Sequence, residues 1–438
     1  MKARLFILVF IFSSNLFAQT KLEVGGSIED SNVFLGNNNT VVNQIFGKSP
    51  EYAELKKRLA DLSAAITKKA DKCEKYTDPL AKEDCRAELI ALNAERDSVQ
   101  KIETRFREDV IRLAETFSRI EINSERLRLA KKFFDEGKIS EADNVLQEKD
   151  MAATGDAALA VKVRNDSVLL QTANEFSLKA QLKILKIDYD SAQILFGQSR
   201  KYFETVDNLW EFAYLLGKQN QTPRAIEYYE KALKIARSES EEAAIAMNLG
   251  NFYKAVQKMA EAEKMYLRSL DILERLAKGN PAQFEPDLAG ISQSLGVFYS
   301  DNNRQKEAIF ILGNGLTIQE NLAKKIPAMH TEGLAYILNN LGFAHLKDGD
   351  FSNARECLVK SESLKPENSW VFRNWACFFA LQNDVSKSIE NLKKASELGY
   401  DDPDWVKRET SLEAIRSHVV YAQILEQIKV NKEKKSKY

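Results

Sequence analysis

Histidine, the side chain used most often for proton transfer and metal binding at neutral pH, occurs only three times in this chain. His330, His345 and His418 form no metal-ligand spacing, and there is no Cys-x2-Cys pair. The segment Gly313-Asn-Gly315 lacks the Lys-Ser/Thr that completes a phosphate-binding loop, and no Gly-x-Ser-x-Gly motif occurs. We therefore expect a protein that is not an enzyme and uses no cofactor or metal; an unrecognised enzyme is the minor alternative.

The four cysteines fall into two kinds. Cys73 and Cys85 lie six residues to either side of Pro79. If Pro79 begins the second helix of a hairpin, the two sulfur atoms face each other near its closed end and form a disulfide. The alternative is one helix broken at Pro79, with two free thiols. Cys357 and Cys377 lie in apolar helical segments, where we expect reduced, buried side chains.

Charge and composition exclude some classes of partner. The 63 Lys and Arg residues are balanced by 64 Asp and Glu residues, so the formal net charge is -1. Nucleic-acid binding usually needs a basic excess, which this chain lacks. Only 8 Pro and 18 Gly occur among 438 residues, which favours long helices over a turn-rich β fold.

The first 18 residues have the pattern of a secretory signal peptide. Lys2 and Arg4 precede the apolar run Leu5–Phe12, which is too short to span a bilayer, and Ala18 supplies a small residue for cleavage. We expect export to the periplasm or the exterior of a bacterial cell, and the alternative is an uncleaved anchor.

Residues 19–48 differ in composition from the rest of the chain. Gly36–Asn39 separates two alternating stretches, which predicts a small β-hairpin or, as the alternative, a disordered segment. The alternating positions are Val33, Leu35, Val41, Asn43 and Ile45.

Residues 50–125 have helical periodicity on both sides of Pro79. The pattern predicts a helical hairpin or a short coiled coil, through which the chain could form a homo-oligomer. Its apolar seam comprises Leu55, Leu59, Leu62 and Ile66 before Pro79, and Leu89, Leu92, Val99, Ile102 and Phe106 after it.

Pairs of small residues recur at a fixed separation of 12 positions along the rest of the chain. Two helices approach closely only where their side chains are small, so each pair predicts a helical hairpin. The strong pairs are Ala213 with Ala225, Gly250 with Ala262, Gly296 with Ala308, Gly342 with Ala354, and Ala376 with Ser388. Ala130 with Ala142 and Ala180 with Ala192 are weaker matches in a degenerate region, residues 126–205. Large residues one turn further on are expected to fill the space between adjacent hairpins: Tyr229, Tyr266, Leu312, Leu358 and Leu392.

These motifs resemble the tetratricopeptide repeat family, with its W-x2-L-G-x2-Y…A-x3-F…P pattern. The first small residues of the strong pairs are 37, 46, 46 and 34 positions apart, and the longer units resemble kinesin light chain-like repeats. The resemblance implies an all-α, right-handed α-solenoid with a repeat array over residues 206–400. Capping helices over 401–430 and a charged tail over 431–438 would follow, because an exposed apolar end needs a cap. The cap candidates are Trp405, Leu412, Ile415, Val419 and Ile424.

The resemblance also implies a function, which is to bind another protein or peptide on the concave face formed by the first helix of each pair. The positions matching the family's contact residues are Trp210, Tyr214, Asn248, Asn251, Gln293, Ser294, Tyr336, Asn339, Asn340, Arg373 and Asn374. Amide side chains both donate to and accept from a peptide backbone. Because Arg373 is the one basic residue of this set, we expect an internal segment or folded surface as ligand, not a free C-terminal carboxylate. The alternative is a regulatory or sensory subunit that oligomerises through its N-terminal helices.

Overall fold

The computed structural model describes residues 45–161 and 166–436. The predicted signal peptide, residues 1–18, and residues 19–44 of the predicted β-rich segment lie outside the described residues. Residues 45–48 form a helical turn, and Ile45 is fully buried in it. The expectation that Ile45 continues a β-strand is therefore wrong.

The described residues form helices joined by short turns and contain no strand. This confirms the predicted all-α class. The helices are α1 (Pro50–Glu74), α2 (Pro79–Arg119), α3 (Glu125–Asp135), α4 (Ile139–Val145), α5 (Glu148–Ala160), α6 (Asp166–Leu185), α7 (Tyr189–Tyr202), α8 (Val206–Lys218), α9 (Thr222–Ile235), α10 (Glu239–Ala255), α11 (Met259–Gly279), α12 (Pro281–Asp301), α13 (Gln305–Lys325), α14 (Pro327–Lys347), α15 (Phe351–Leu364), α16 (Ser369–Leu381), α17 (Val385–Glu397), α18 (Pro403–Arg408), a 3₁₀ helix (Thr410–Ile415) and α19 (Tyr421–Ser436). None of them combines the length and apolar character needed to span a membrane.

The chain forms two compact units that are not continuous in sequence. Among the described residues, the first unit comprises 45–53 and 105–295, and the second unit comprises 54–104 and 296–436. Helices α1, α2 and α12 therefore contribute residues to both units.

Seven helix pairs in the described residues share one turn geometry. In each, a residue with positive φ lies seven positions after the first small residue, and the next N–H donates to the carbonyl five residues earlier at 2.9 Å. The same turn after Ala130 and Ala180 shows that the degenerate region is built from pairs of the same kind. The positive-φ residues are Gly137, Ile187, Asn220, Gln257, Asn303, Gly349 and Asn383.

The first small residue of each pair is followed sixteen positions later by a large residue, and the two are in close contact where the small residue is glycine. A Cβ atom added to Gly250 would lie 2.6 Å from the ring of Tyr266, and one added to Gly342 would lie 3.1 Å from Leu358. At the glycine positions the large residues fill space within a pair, against the backbone of its first helix. The predicted filling between adjacent pairs is seen at Tyr229, whose ring lies 5.3 Å from that of Phe252 on α10. The members of this set are at most 1% exposed: Leu146, Phe196, Tyr229, Tyr266, Leu312, Leu358 and Leu392.

The helical hairpin at the N-terminus is closed by a disulfide. Cys73, near the end of α1, is bonded to Cys85, in the second turn of α2. In the second unit, Leu59 and Leu62 of α1 pack with Val99 of α2. The seam that the sequence offered for self-association is thus used inside the chain. Cys357 and Cys377 are free and buried.

The C-terminal helices differ from the expectation in two places. Leu412, Ile415 and Ile424 are buried in the core of the second unit, but Val419 is 81% exposed and takes no part in the cap. The chain also remains helical to Ser436, so the charged residues 431–436 continue α19. Asn431 anchors this helix by donating to the carbonyl oxygens of Ser396 and Tyr400 at 2.8 and 2.9 Å.

We expect Gly250→Ala to lower the free energy of unfolding by about 1–2 kcal/mol. The new methyl group collides with the ring of Tyr266, and this cost exceeds the gain of about 1 kcal/mol in helix propensity. Urea denaturation followed by circular dichroism measures the change. Gly197→Ala is the control, since a Cβ there meets nothing within 4 Å and should stabilise α7 by about 0.5–1 kcal/mol. Equal effects of the two substitutions would contradict the close packing.

We expect Ile187→Gly to raise the free energy of unfolding by about 1 kcal/mol, because a β-branched residue is strained at positive φ. The side chain is 61% exposed, so its removal costs little packing. Asn220→Gly, at the same position of the next pair, should change stability little because Asn tolerates this conformation. A lower denaturation midpoint for Ile187→Gly would show that the turn holds no strain.

Candidate functional site

The residues predicted to contact a ligand are mostly buried. Ten of the eleven are at most 9% exposed, and Gln293 is half-buried. Their polar atoms therefore face the protein interior in this structure. A polar atom that is already hydrogen-bonded inside the chain is not available to a ligand, so the internal partners of these residues are described first.

In the first unit, α8 is paired side by side with the C-terminal part of α2. The guanidinium of Arg112 donates to both carboxylate oxygens of Glu211, at 3.0 and 3.2 Å. One turn away, the Nζ of Lys218 lies 2.7 and 2.8 Å from the carboxylate oxygens of Asp109. At the other end of α8, Arg119 Nε lies 2.8 Å from Asp207 Oδ1. Residue numbers rise along α8 as they fall along α2, so the two helices are antiparallel.

Tyr214, one of the predicted ligand-binding residues, is part of this contact. Its hydroxyl donates to Asp109 Oδ1 at 3.2 Å, and the guanidinium of Arg112 lies 3.8 Å from the ring centroid. We call Asp207, Glu211, Tyr214 and Lys218 the α8 face. Its four side chains are spaced by four, three and four positions and lie on one side of the helix.

The part of α2 that covers the α8 face is surrounded by protein. Every residue from 108 to 117 is buried, including Glu108 and Glu115. One carboxylate oxygen of each of these two has no hydrogen-bond partner among the described residues. Burial raises the pKa of Glu108 to about 8, although Lys218 acts in the opposite direction. Burial also raises the pKa of Glu115, against the effect of Arg119 and Arg112.

Helices α2 and α3 make polar contacts of the same type with α6. Thr116 of α2 donates to Gln181 of α6 at 3.1 Å. Glu175 of α6 accepts from Ser124 at 2.6 Å and pairs with Arg126 at 2.9 Å. The start of α3 and the end of α2 are thereby tied to α6 by side-chain hydrogen bonds.

The predicted amides on α10 are used inside their own pair. Asn248 donates to the carbonyl oxygen of Ala244 in the same helix at 3.0 Å. Asn251 accepts from the hydroxyl of Tyr266, on the second helix of the pair, at 2.8 Å. Three other predicted residues have a buried polar atom without a hydrogen-bond partner in the described chain, namely Trp210 Nε1, Ser294 Oγ and Asn339 Nδ2.

In the second unit, Asn339 and Asn374 connect successive first helices. Asn374 donates to Asn339 Oδ1 at 2.8 Å, and its own oxygen accepts from Arg373 at 2.7 and 3.0 Å. Arg373 is 6% exposed. Its guanidinium lies among four aromatic rings, at 4.0 Å from Trp405, 4.7 Å from Trp370, 5.2 Å from Phe343 and 5.8 Å from Tyr400.

Tyr336 and Asn340 complete the predicted set. Tyr336 donates to Glu332 at 2.8 Å and accepts from Lys365 at 2.9 Å. Asn340 is 8% exposed. The predicted residues are thus brought together in small groups along the first helices, each group already engaged within the chain.

The sequence prediction missed Asp207, Glu211 and Lys218. Their signal was present, because three charges interrupt the otherwise apolar segment VDNLWEFAYLLGK. Their partners of opposite charge lie on α2, about a hundred residues earlier, and occur there in reverse order. Periodicity within a single helix does not reveal this pairing. Across the described chain, no three His, Cys, Asp or Glu side chains are grouped closely enough to hold a metal ion.

We expect Glu108→Gln to stabilise the chain increasingly as the pH rises from about 5 to 8. The folded-state pKa of Glu108, about 8, lies above the value near 4.5 of an exposed carboxyl group. Unfolding therefore releases a proton in this interval, and the wild type loses up to about 1.4 kcal/mol per pH unit, whereas glutamine does not ionise. Urea denaturation at the two pH values measures this. The exposed control Glu261→Gln should have the same small effect at both, and a pH-independent effect of Glu108→Gln would contradict the assignment.

Comparison with known proteins supports the repeat assignment. Models of the tetratricopeptide repeat match residues 206–239, 243–281 and 335–368. These segments coincide with the pairs α8–α9, α10–α11 and α14–α15. None of the matches distinguishes the longer kinesin light chain-like unit, which stays a prediction. No curated protein matches the sequence.

Several solved structures are similar to parts of the chain. A tetratricopeptide repeat protein from Parabacteroides merdae is 13% identical, with a TM-score of 0.42, and the match covers 69% of this chain and 99% of that one. BtubC (BKLC) from P. vanneervenii is 20% identical, with a TM-score of 0.41 and coverage of 56% and 92%. Yeast Tom70 is 12% identical, with a TM-score of 0.33 and coverage of 91% and 96%.

The three matched segments and the turn geometry shared by all seven described pairs lead to the same assignment. Each matched segment begins within a first helix, seven positions before its small residue, and contains the positive-φ turn and the large residue sixteen positions after that small residue. Residues 206–239, 243–281 and 335–368 are therefore tetratricopeptide repeats.

Proposed function

We propose that this protein is an exported scaffold or adaptor that binds another polypeptide through the first helices of its repeats. The observation that carries the proposal is the array of tetratricopeptide pairs itself, because stacked pairs present a row of first helices as an extended binding surface. Of the polar residues predicted on these helices, the half-buried Gln293 is the one that is partly accessible to a ligand.

The α2–α8 contact supports the view that the repeats recognise a helix. A helical segment already lies along α8, and its side chains match the charges of the α8 face one by one. The first helices of this chain are therefore suited to a polypeptide that presents regularly spaced charges.

Export is supported by the signal-like leader and by the disulfide between Cys73 and Cys85. Structural disulfides persist mainly in oxidising compartments such as the periplasm or the cell exterior. A protein that remained in a reducing cytosol would gain nothing from this bond.

We expect the mature protein from its native cell to lack the first 18 residues or so and to contain two free thiols. Mass spectrometry after alkylation, with and without prior reduction, measures both properties. The variant Cys73→Ser/Cys85→Ser should remain folded but lose about 2–3 kcal/mol of stability because the closed loop is released. An intact N-terminus and four reactive thiols in the cell would contradict export.

A photo-cross-linking residue in place of Gln293 tests partner binding in the cell. Gln293 is the half-buried member of the predicted contact set and lies on a first helix. We expect cross-links to a protein of discrete mass, identified by mass spectrometry. The matched control replaces Leu267, which is 43% exposed on the second helix α11 and should give no such product. Equal labelling at both positions, or none at Gln293, would argue against binding through the first helices.

A further inference from the structure

We propose that residues 105–119 of α2 are a built-in ligand that covers the α8 face and is displaced by a partner helix of matching charge pattern. This inference rests on the proposed function and deepens it, since it names the chemistry of the partner. The observations that carry it are the register of the contact, its polarity and the burial of residues 108–117.

The alignment of α2 along α8 is set by the order of their charged residues. Asp109, Arg112 and Arg119 of α2 lie against Lys218, Glu211 and Asp207 of α8, in that order. Shifting α2 by one turn in either direction would place Arg112 near Lys218 or leave Glu211 without a cation. Like charges in contact and unpaired buried charges both cost free energy, so the order of charges selects one alignment.

Because the contact is largely polar, another helix can take the place of residues 105–119 on the α8 face. A buried ion pair offsets the desolvation of its own charges with little net gain, whereas removal of one partner is costly. Glu108 and Glu115 add carboxylate oxygens that are buried without hydrogen-bond partners. The charged part of the contact is therefore selective without being strongly stabilising, and a second helix with the same charges and equivalent apolar side chains can replace the first.

An apolar stripe next to the charged one defines the rest of the ligand. Phe106, Val110, Leu113 and Phe117 follow helical spacing and are at most 7% exposed. The ring of Phe117 lies 5.3 Å from that of Phe134. In α2, Val110, Leu113 and Phe117 each directly follow a polar residue that contacts α8 or α6. A competing partner is thus an amphipathic helix in which Asp-Φ, Arg-Φ and polar-Φ pairs, where Φ is apolar, recur three and four positions apart.

A peptide of residues 103–121, labelled with a fluorophore, tests the inference against the full chain with its disulfide intact. The wild-type chain should bind this peptide weakly, because its own segment occupies the α8 face. The Arg112→Glu chain should bind it at least about ten-fold more tightly, because the internal competitor is weakened while the α8 face is unchanged. The Arg112→Glu/Glu211→Arg chain, in which the pair is re-formed with exchanged charges, should bind weakly again.

Three further measurements test the specificity of binding and the release of residues 105–119. A peptide carrying Arg112→Glu should bind the Glu211→Arg chain and not the Arg112→Glu chain. Hydrogen exchange should show residues 105–119 protected in the wild type, more exposed in Arg112→Glu and protected again in the double variant. Asp109→Asn removes the Lys218 pair with little change in volume and should give an intermediate affinity.

Three outcomes would overturn the inference. The first is continued protection of residues 105–119 in the Arg112→Glu chain, and the second is no binding of the wild-type peptide to a chain whose segment is released. The third is loss of the helical signal in both Arg112→Glu and Asp109→Asn. The last would show that α2 is a permanent part of the core. A chain that fails these tests but forms the cross-link at Gln293 refutes only this inference. A chain that passes them but captures no partner in the cell refutes the proposed function.

Discussion

The close approach of two helices within each pair is the constraint on which the fold depends. A small residue on the first helix, a left-handed turn residue seven positions later and a large side chain sixteen positions later recur together in all seven described pairs. Where the small residue is glycine, the large side chain rests directly on the backbone of the first helix. Loss of any of the three would separate the helices, because the core of a pair is only one side chain thick.

Much of this could be predicted from the sequence, since the small residues and the large ones are visible as a repeat. The turn position was less visible because chemically different residues fill it. Gly349 and Asn303 suit a left-handed conformation, but Ile187 does not, and only the hydrogen bonds of the turn show that it has the same role. The C-terminal limit was also misjudged, because the charged residues after 430 hide Asn431, whose amide is buried.

The candidate site could be predicted only in part. Helical periodicity placed Tyr214 on the same side of α8 as the charged residues, but could not show that another segment of the chain covers that side. Pairing between α2 and α8 joins residues about a hundred positions apart, and each helix alone has the composition of an ordinary amphipathic helix. The matching order of charges becomes meaningful only when the two helices are adjacent. Burial of the predicted amides has the same origin, since residues such as Asn251 and Asn374 find partners on neighbouring helices.

The interleaved order of the two units has a consequence for biosynthesis. Residues 54–104 leave the ribosome early, but the residues with which they form a compact unit begin at Gly296. The early segment must therefore wait for almost two hundred further residues, and contacts of such long sequence separation form slowly.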